Sequence, residues 1–185
     1  MSKLVRFWIS VLVLLTVTIT PAMAAAPQKE VVEAGVAAPD ADFDLTILHT
    51  NDVHAHVDQY NRNGARCSEA DELAGLCIAG DSRLQTLVEE IRAAETNVLL
   101  VDAGDQFQGT LFYALFKADV ITDTMNALGY DAMTVGNHEF DDGPTELATL
   151  IDGADFPVVS ANINVTSEPL LDGKLAPSTV VTRSG

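Results

Sequence analysis

From residue 44 onward, short apolar runs alternate with amphipathic stretches. Leu45-Thr46-Ile47-Leu48 is a β-prone run that leads into the polar Thr50-Asn51-Asp52. Asp81 to Ala94 carries Leu84, Leu87, Val88 and Ile91 at helical spacing, and Ser82 with Gln85 resembles a capping box. Val98-Leu99-Leu100-Val101 is an uninterrupted apolar run of the kind buried in parallel sheets. Residues 110–128 read as helix, with Ile121, Met125 and Leu128 on one face and Gly129 as its stop. Asp131 to Val135 is a further strand. Asp142 and Pro144, followed by Leu147, Leu150 and Ile151, predict a capped helix ending at Gly153. Phe156 to Ser160 is a fourth strand, and Ser178 to Thr182 begins a fifth. The order βαβαβαβ predicts an open, layered α/β sheet with right-handed crossovers.

The stretch before residue 44 has a different pattern. Lys3 and Arg6 precede an uncharged apolar run from Phe7 to Thr20, then Pro21 and Ala22-Met23-Ala24. This is the three-part plan of a secretory signal peptide over residues 1–24, too short an apolar run to span a bilayer comfortably. Residues 25–43 read as a linker broken by Pro27 and Pro39, and residues 44–185 as the folded domain. The protein is therefore expected to be exported, periplasmic or extracellular, with no stable membrane span once the signal is removed. The 185 residues carry a net charge of −17, which becomes −19 when cleavage removes Lys3, Arg6 and no acid. An apolar fraction of 48% excludes a disordered acidic tail, and 10 Lys+Arg against 27 Asp+Glu argue against a protein that grips a nucleic-acid polymer by charge. Cys67 and Cys77 lie in a polar insertion. In an exported chain they most simply close into a disulfide worth about 2–3 kcal/mol, metal binding by the pair being the alternative.

Sheets of this class present ligands at the carboxyl ends of their strands. Polar clusters follow three strands in succession: Asn51-Asp52-Val53-His54-Ala55-His56, Gly104-Asp105-Gln106-Phe107-Gln108-Gly109 and Gly136-Asn137-His138-Glu139-Phe140-Asp141. Each alone is an ordinary turn, and three on one rim make a site. Asp52 and His54 are spaced to chelate one ion, a donor pair suited to borderline metals. Asp105, flanked by glycine, can bridge two ions. Asn137 offers an amide oxygen beside Gly136. His138 is better placed to reach substrate than to share an ion with Asn137, with Asp141 to orient and charge it.

The segments His49-Thr50-Asn51-Asp52-Val53-His54, Gly104-Asp105 and Gly136-Asn137-His138-Glu139-Phe140-Asp141 resemble the calcineurin-like metallophosphoesterases. Within that family they are similar to the secreted branch of 5′-nucleotidases, UDP-sugar hydrolases and 2′,3′-cyclic-nucleotide phosphodiesterases. The resemblance runs from about Asp44 to Asn162. It implies a metallophosphoesterase-type layered β-sheet with helices on its faces, of which this chain holds the amino-terminal part. It implies two divalent metal ions (Zn, Mn, Co or Mg) that activate water for phosphate-ester hydrolysis of a nucleotide or nucleotide-sugar. By motif, Asp52 and His54 bind the first metal, Asp105 bridges, Asn137 binds the second, and His138 with Asp141 forms the catalytic dyad. His56 has no motif role and reads as a surface imidazole. His49 packs beside its strand, and Glu139 reads as a hydrogen-bond partner holding the loop. Asn164-Val165-Thr166 matches a glycosylation sequon, a triplet common by chance.

The donor set is short. Asp52, His54, Asn137 and a bridging Asp105 fall below what two metals with three or four protein ligands each require. None of the four His lies beyond position 138, whereas the family completes its cage with later histidines. The sequence is thus expected to be the front part of a longer enzyme whose carboxyl-terminal substrate domain is missing, the 185-residue piece alone being poorly active. The alternatives are a non-catalytic exported binding protein with a vestigial metal rim, or a relative of the sulfur-oxidation thiosulfohydrolases.

Overall fold

A computed structural model describes residues 43–182. The signal-peptide segment and all of the linker but Phe43 lie outside the described residues. The first strand, β1, is Thr46–Thr50; then come β2 (Tyr60–Asn61), α1 (Glu69–Leu73), β3 (Cys77–Ile78), α2 (Asp81–Ala94) and β4 (Val98–Asp102). They are followed by α3 (Leu111–Leu128), β5 (Ala132–Thr134), a single 3-10 turn at His138–Phe140, α4 (Pro144–Gly153) and β6 (Val158–Val159). The main sheet has the order β1-β4-β5-β6 with every pair parallel, which is the α/β layering read from the sequence.

Strands added in one direction by crossovers of one hand place their helices on one side of the sheet. The burial pattern agrees. Val98, Leu100 and Asp102 of β4 are buried while Leu99 and Val101 are partly exposed. Leu100, Met133 and Val158 share a core with Val88 of α2, Ile121 and Met125 of α3 and Leu147 and Leu150 of α4. Among the described residues the opposite face is open, with Ile47 57% exposed and His49 exposed beside it. Among the described residues the helices thus cover one face of the sheet.

Local chemistry differs from expectation in three places. Ser82 and Gln85 form no capping box, because α2 starts at Asp81 behind Gly80 and both residues sit inside the helix, Gln85 donating to Glu89 at 3.0 Å. A capping box forms instead at Ser68 and Asp71, at the start of α1. Asp142 does not cap α4. Gly143 takes that position ahead of Pro144, and the Asp142 carboxylate lies 2.8 Å from Lys117 Nζ. Ser178 to Thr182 is not a strand, its place being taken by a single parallel bridge between Val159 and Ala176. Val180 there is 91% exposed, so no packed face exists to reward pairing. Gly129 does end α3, in the left-handed region at φ 69°. Arg92 of α2 donates to the Leu128 and Gly129 carbonyls at 2.9 and 2.6 Å, supplying partners to the end of α3.

The insertion between β1 and α2 forms a small antiparallel pair, Tyr60 opposite Ile78 and Asn61 opposite Cys77. Cys67 is bonded to Cys77 across it, with Cα atoms 5.8 Å apart.

Truncating Leu100, which is buried at the sheet centre, tests the core. Leu100→Ala is expected to cost about 2–5 kcal/mol in urea unfolding, whereas Val180→Ala stays within about 0.5 kcal/mol. Equal effects of the two would contradict the packing described.

Candidate metal centre

The three polar clusters meet at the carboxyl ends of β1, β4 and β5. Main-chain bonds join the first two: Asp52 N donates to Gly104 O at 2.9 Å, His54 N to Asp105 O at 3.2 Å and Ala55 N to Gln106 O at 3.0 Å. The second and third touch backbone to backbone through glycines. A β-carbon on Gly104 would lie 2.3 Å from Gly136 N, and one on Gly136 would lie 2.2 Å from Asp105 Oδ1. Asp52, His54, Ala55, Asp105 and Gln108 all have φ between 51° and 70°. Left-handed backbone at non-glycine residues costs on the order of 1 kcal/mol each and persists only where surroundings impose it.

At Asp105 Glu139 supplies that constraint. Its side chain is fully buried, and its carboxylate accepts four main-chain N–H bonds: from Asp105 at 3.0 Å, Gln106 at 2.8 Å, Phe107 at 3.2 Å and Gly136 at 2.6 Å. One side chain therefore holds both loops, as its reading as a loop-holding partner anticipated. Below it lies a group the sequence reading overlooked. Asp102, buried at the end of β4, accepts from Thr50 Oγ1 (2.5 Å), Gly104 N (2.8 Å) and Gln106 Nε2 (2.7 Å). Burial pushes its carboxyl up to about 6 despite these donors. The available signal was an acid directly after four apolar strand residues.

Within this frame His54, Asp105 and His138 each bring a ligating atom within 4.8 Å of the others. His54 Nδ1 lies 3.0 Å from the Phe107 carbonyl, which can only accept. Nδ1 is therefore the protonated nitrogen, and Nε2 presents a lone pair. That Nε2 is 3.9 Å from Asp52 Oδ1, which places Asp52 at the edge of the same cluster. Asp105 accepts from His138 N through Oδ1 at 2.9 Å, leaving its second oxygen for an ion. Asn137 is exposed in the adjoining turn, its amide making no hydrogen bond among the described residues. The chemistry of this set, a lone-pair imidazole beside two carboxylates, fits a divalent cation. His49 points to the open sheet face and takes no part. His56 turns away and donates from Nδ1 to Val53 O at 2.7 Å.

His138 has a second role. Its Nδ1 is 2.6 Å from Asp141 Oδ2, and its ring stands edge-on to that of His54 with centroids 5.0 Å apart. The hydrogen bond to Asp141 raises the imidazole above the usual His range, and the nearby charges of Asp141, Asp105 and Glu139 add to this against a smaller opposing effect of burial. A raised folded-state value stabilises the protein below the unfolded value of about 6.5, and the benefit is lost as pH rises through the folded value.

Two measurements check this geometry. In a proton NMR titration of the metal-free chain, His138 is expected to titrate above the ordinary range, and Asp141→Asn to return it downward; an unchanged value would contradict the pairing. Glu139→Gln turns an acceptor into a group that presents N–H toward N–H. It is expected to lower stability by about 3 kcal/mol or more and to weaken zinc binding at least tenfold in calorimetry. Wild-type zinc affinity in this variant would contradict the role of the carboxylate.

Comparison with known proteins places this geometry. The calcineurin-like phosphoesterase family model matches residues 45–179. Over 122 residues the chain is 49% identical to human 5′-nucleotidase, covering 65% of this chain and 21% of that protein. It is 47% identical over 131 residues to the snake venom 5′-nucleotidase of Gloydius brevicauda, covering 70% and 21%. Among solved structures, the 5′-nucleotidase precursor of Thermus thermophilus superposes with a TM-score of 0.65 at 41% identity, over 74% of this chain and 26% of that one. The NAD nucleotidase of Haemophilus influenzae gives 0.65 at 32% identity, over 76% and 27%. The chain spans about a fifth to a quarter of the length of these relatives. A match over most of the sequence, on the strands and loops that gather the donors, makes this chain a member of the calcineurin-like phosphoesterase family.

Proposed function

We infer that the chain is the metal-binding front part of an exported phosphoesterase that hydrolyses nucleotides. The observation that carries this reading is the convergence of His54, Asp105 and His138 on one point, with His138 held by Asp141. Asp52 and His54 would hold one ion, Asn137 a second, and Asp105 would bridge them. Divalent ions bound there supply Lewis-acid polarisation of the phosphoryl oxygens and lower the pKa of the attacking water. His138, whose imidazole the hydrogen bond to Asp141 holds above the usual His range, stands at the edge of the cluster where it can donate a proton or hydrogen bond to an equatorial or leaving-group oxygen. Asp141 fixes the ring's orientation. His54 Nδ1–H, tied to Phe107 O, keeps Nε2 aimed at the ion.

Nucleotide specificity is supported by the 5′-nucleotidases that the chain resembles, and export by the charged start and apolar run of residues 3–20. No helix among the described residues is long and apolar enough to cross a membrane. Asp52, His54, Asp105 and Asn137 supply only part of the donors that two ions require, and the chain spans about a fifth to a quarter of the length of its relatives. The acidity of the chain then acquires a function, since bound cations reverse the local sign for an incoming phosphate.

Phosphate release from a nucleoside monophosphate by the full-length protein tests the reading. Turnover is expected to require added Mn or Zn, and His138→Ala to lower kcat by about 10²–10⁴-fold. Turnover that persists in excess chelator, or a His138→Ala variant as fast as wild type, would contradict it.

A further inference from the structure

Beside the metal centre, the insertion after β1 and the start of α3 enclose a cleft of about 380 Å³ to which nothing above assigns a role. Its walls carry His56, Asp58, Tyr60, Arg66 and Phe112. It shares a main-chain wall with the metal centre. Ala55 and His56 directly follow His54, and Gly109 packs so closely that a β-carbon there would lie 2.4 Å from the His54 carbonyl oxygen and 2.7 Å from its Cβ.

The cleft is held in shape before any ligand arrives. The His56 ring, fixed by its bond to Val53 O, leans on the Tyr60 ring with centroids 4.6 Å apart. Tyr60 forms an antiparallel bridge with Arg66, and the adjoining Cys67 is bonded to Cys77. Thr110 Oγ1 donates to Ala55 O at 2.6 Å and ties the α3 side to the loop.

Charge distinguishes Arg66 from the other cations. Arg83 donates to the Cys77 carbonyl, Arg92 to the carbonyls of Leu128 and Gly129, Lys117 pairs with Asp142 and Lys174 with Asp152. Among the described residues only Arg62 and Arg66 have neither an ion pair nor a side-chain hydrogen bond, and only Arg66 of these lines the cleft. Asp58 lies in the same wall without pairing to it. In a chain of net charge −17, Arg66 has Asp58, Glu69 and Glu72 around it yet forms an ion pair with none of them, so its guanidinium fork is free to take an anion from outside.

We propose that this cleft is a second ligand subsite that takes the sugar-phosphate portion of a substrate whose other phosphoryl group lies on the metal donors, a proposal that rests on the phosphoesterase reading above. Arg66 forks onto the distal phosphoryl oxygens, Asp58 accepts from sugar hydroxyls, and the ring faces of His56 and Tyr60 pack on the sugar. The disulfide gains a functional purpose, because it anchors the strand end next to Arg66.

Calorimetry on the zinc-loaded chain separates this from the parent reading. The probes are inorganic phosphate and ribose 5-methylenebisphosphonate, which cannot be hydrolysed at its bridge. The bisphosphonate is expected to bind at least tenfold tighter than phosphate. Arg66→Ala and Asp58→Asn, both at exposed positions, are expected to remove most of that difference while phosphate affinity stays within twofold. If phosphate itself fails to bind, the phosphoesterase reading falls and this one with it. If phosphate binds but the bisphosphonate binds no tighter, or if the two substitutions weaken both probes alike, the subsite alone is overturned.

Discussion

The buried carboxylate of Glu139 is the interaction on which the site depends. Three of its four main-chain donors lie on the turn after β4 and the fourth on the turn after β5. An ionised carboxylate removed from water is costly unless its lone pairs are filled, and four N–H donors fill them. The same bonds impose the left-handed backbone at Asp105 and bring Gly104 against Gly136, where any side chain would collide. Asp105 and His138 are thus placed by a residue that is not itself one of the clustered donors.

This frame divides the labour among the charges. Deep in the fold, Glu139 and Asp102 are saturated by donors and serve as structure. At the rim, Asp52, Asp105 and the amide of Asn137 keep oxygens uncommitted, and His54 keeps a lone pair. Each imidazole at the centre is oriented by an acceptor on its far side, Phe107 O for His54 and Asp141 for His138. Such a rim repels phosphate until cations are bound, which links recognition to metal loading. Arg66 is the exception, a cation left without a side-chain partner at the cleft adjoining the rim.

Much of this was legible in sequence where one physical signal dominates. The apolar run at 98–101 reads as a buried central strand and the β-prone run at 45–48 as a strand, though β1 leaves Ile47 exposed, and Gly129 marked the end of α3 because the chain needed left-handed backbone there. The three loop clusters were legible because several unusual residue types recur at strand ends. Misreadings came where alternatives of similar energy compete. Ser82-Gln85 and Asp142 are good caps by composition, but Gly80 and Gly143 reach positive φ and take the cap positions, two residues before Ser82 and one after Asp142. Val180-Val181 has strand propensity without a face to bury. Asp102 escaped notice because nothing local distinguishes a saturated buried acid from a strand-end turn residue; its partners Thr50 and Gln106 come from different segments.

The decisive experiment is anomalous diffraction at the zinc edge, from crystals of the zinc-loaded chain. A peak is expected within bonding distance of both His54 Nε2 and the Asp105 carboxylate, at about 2.0–2.2 Å from each. The Glu139 carboxylate should be uncoordinated and still capped by its four N–H groups. A peak bonded to Glu139, or zinc bound only at acids remote from His54, would overturn the role given to each of these residues.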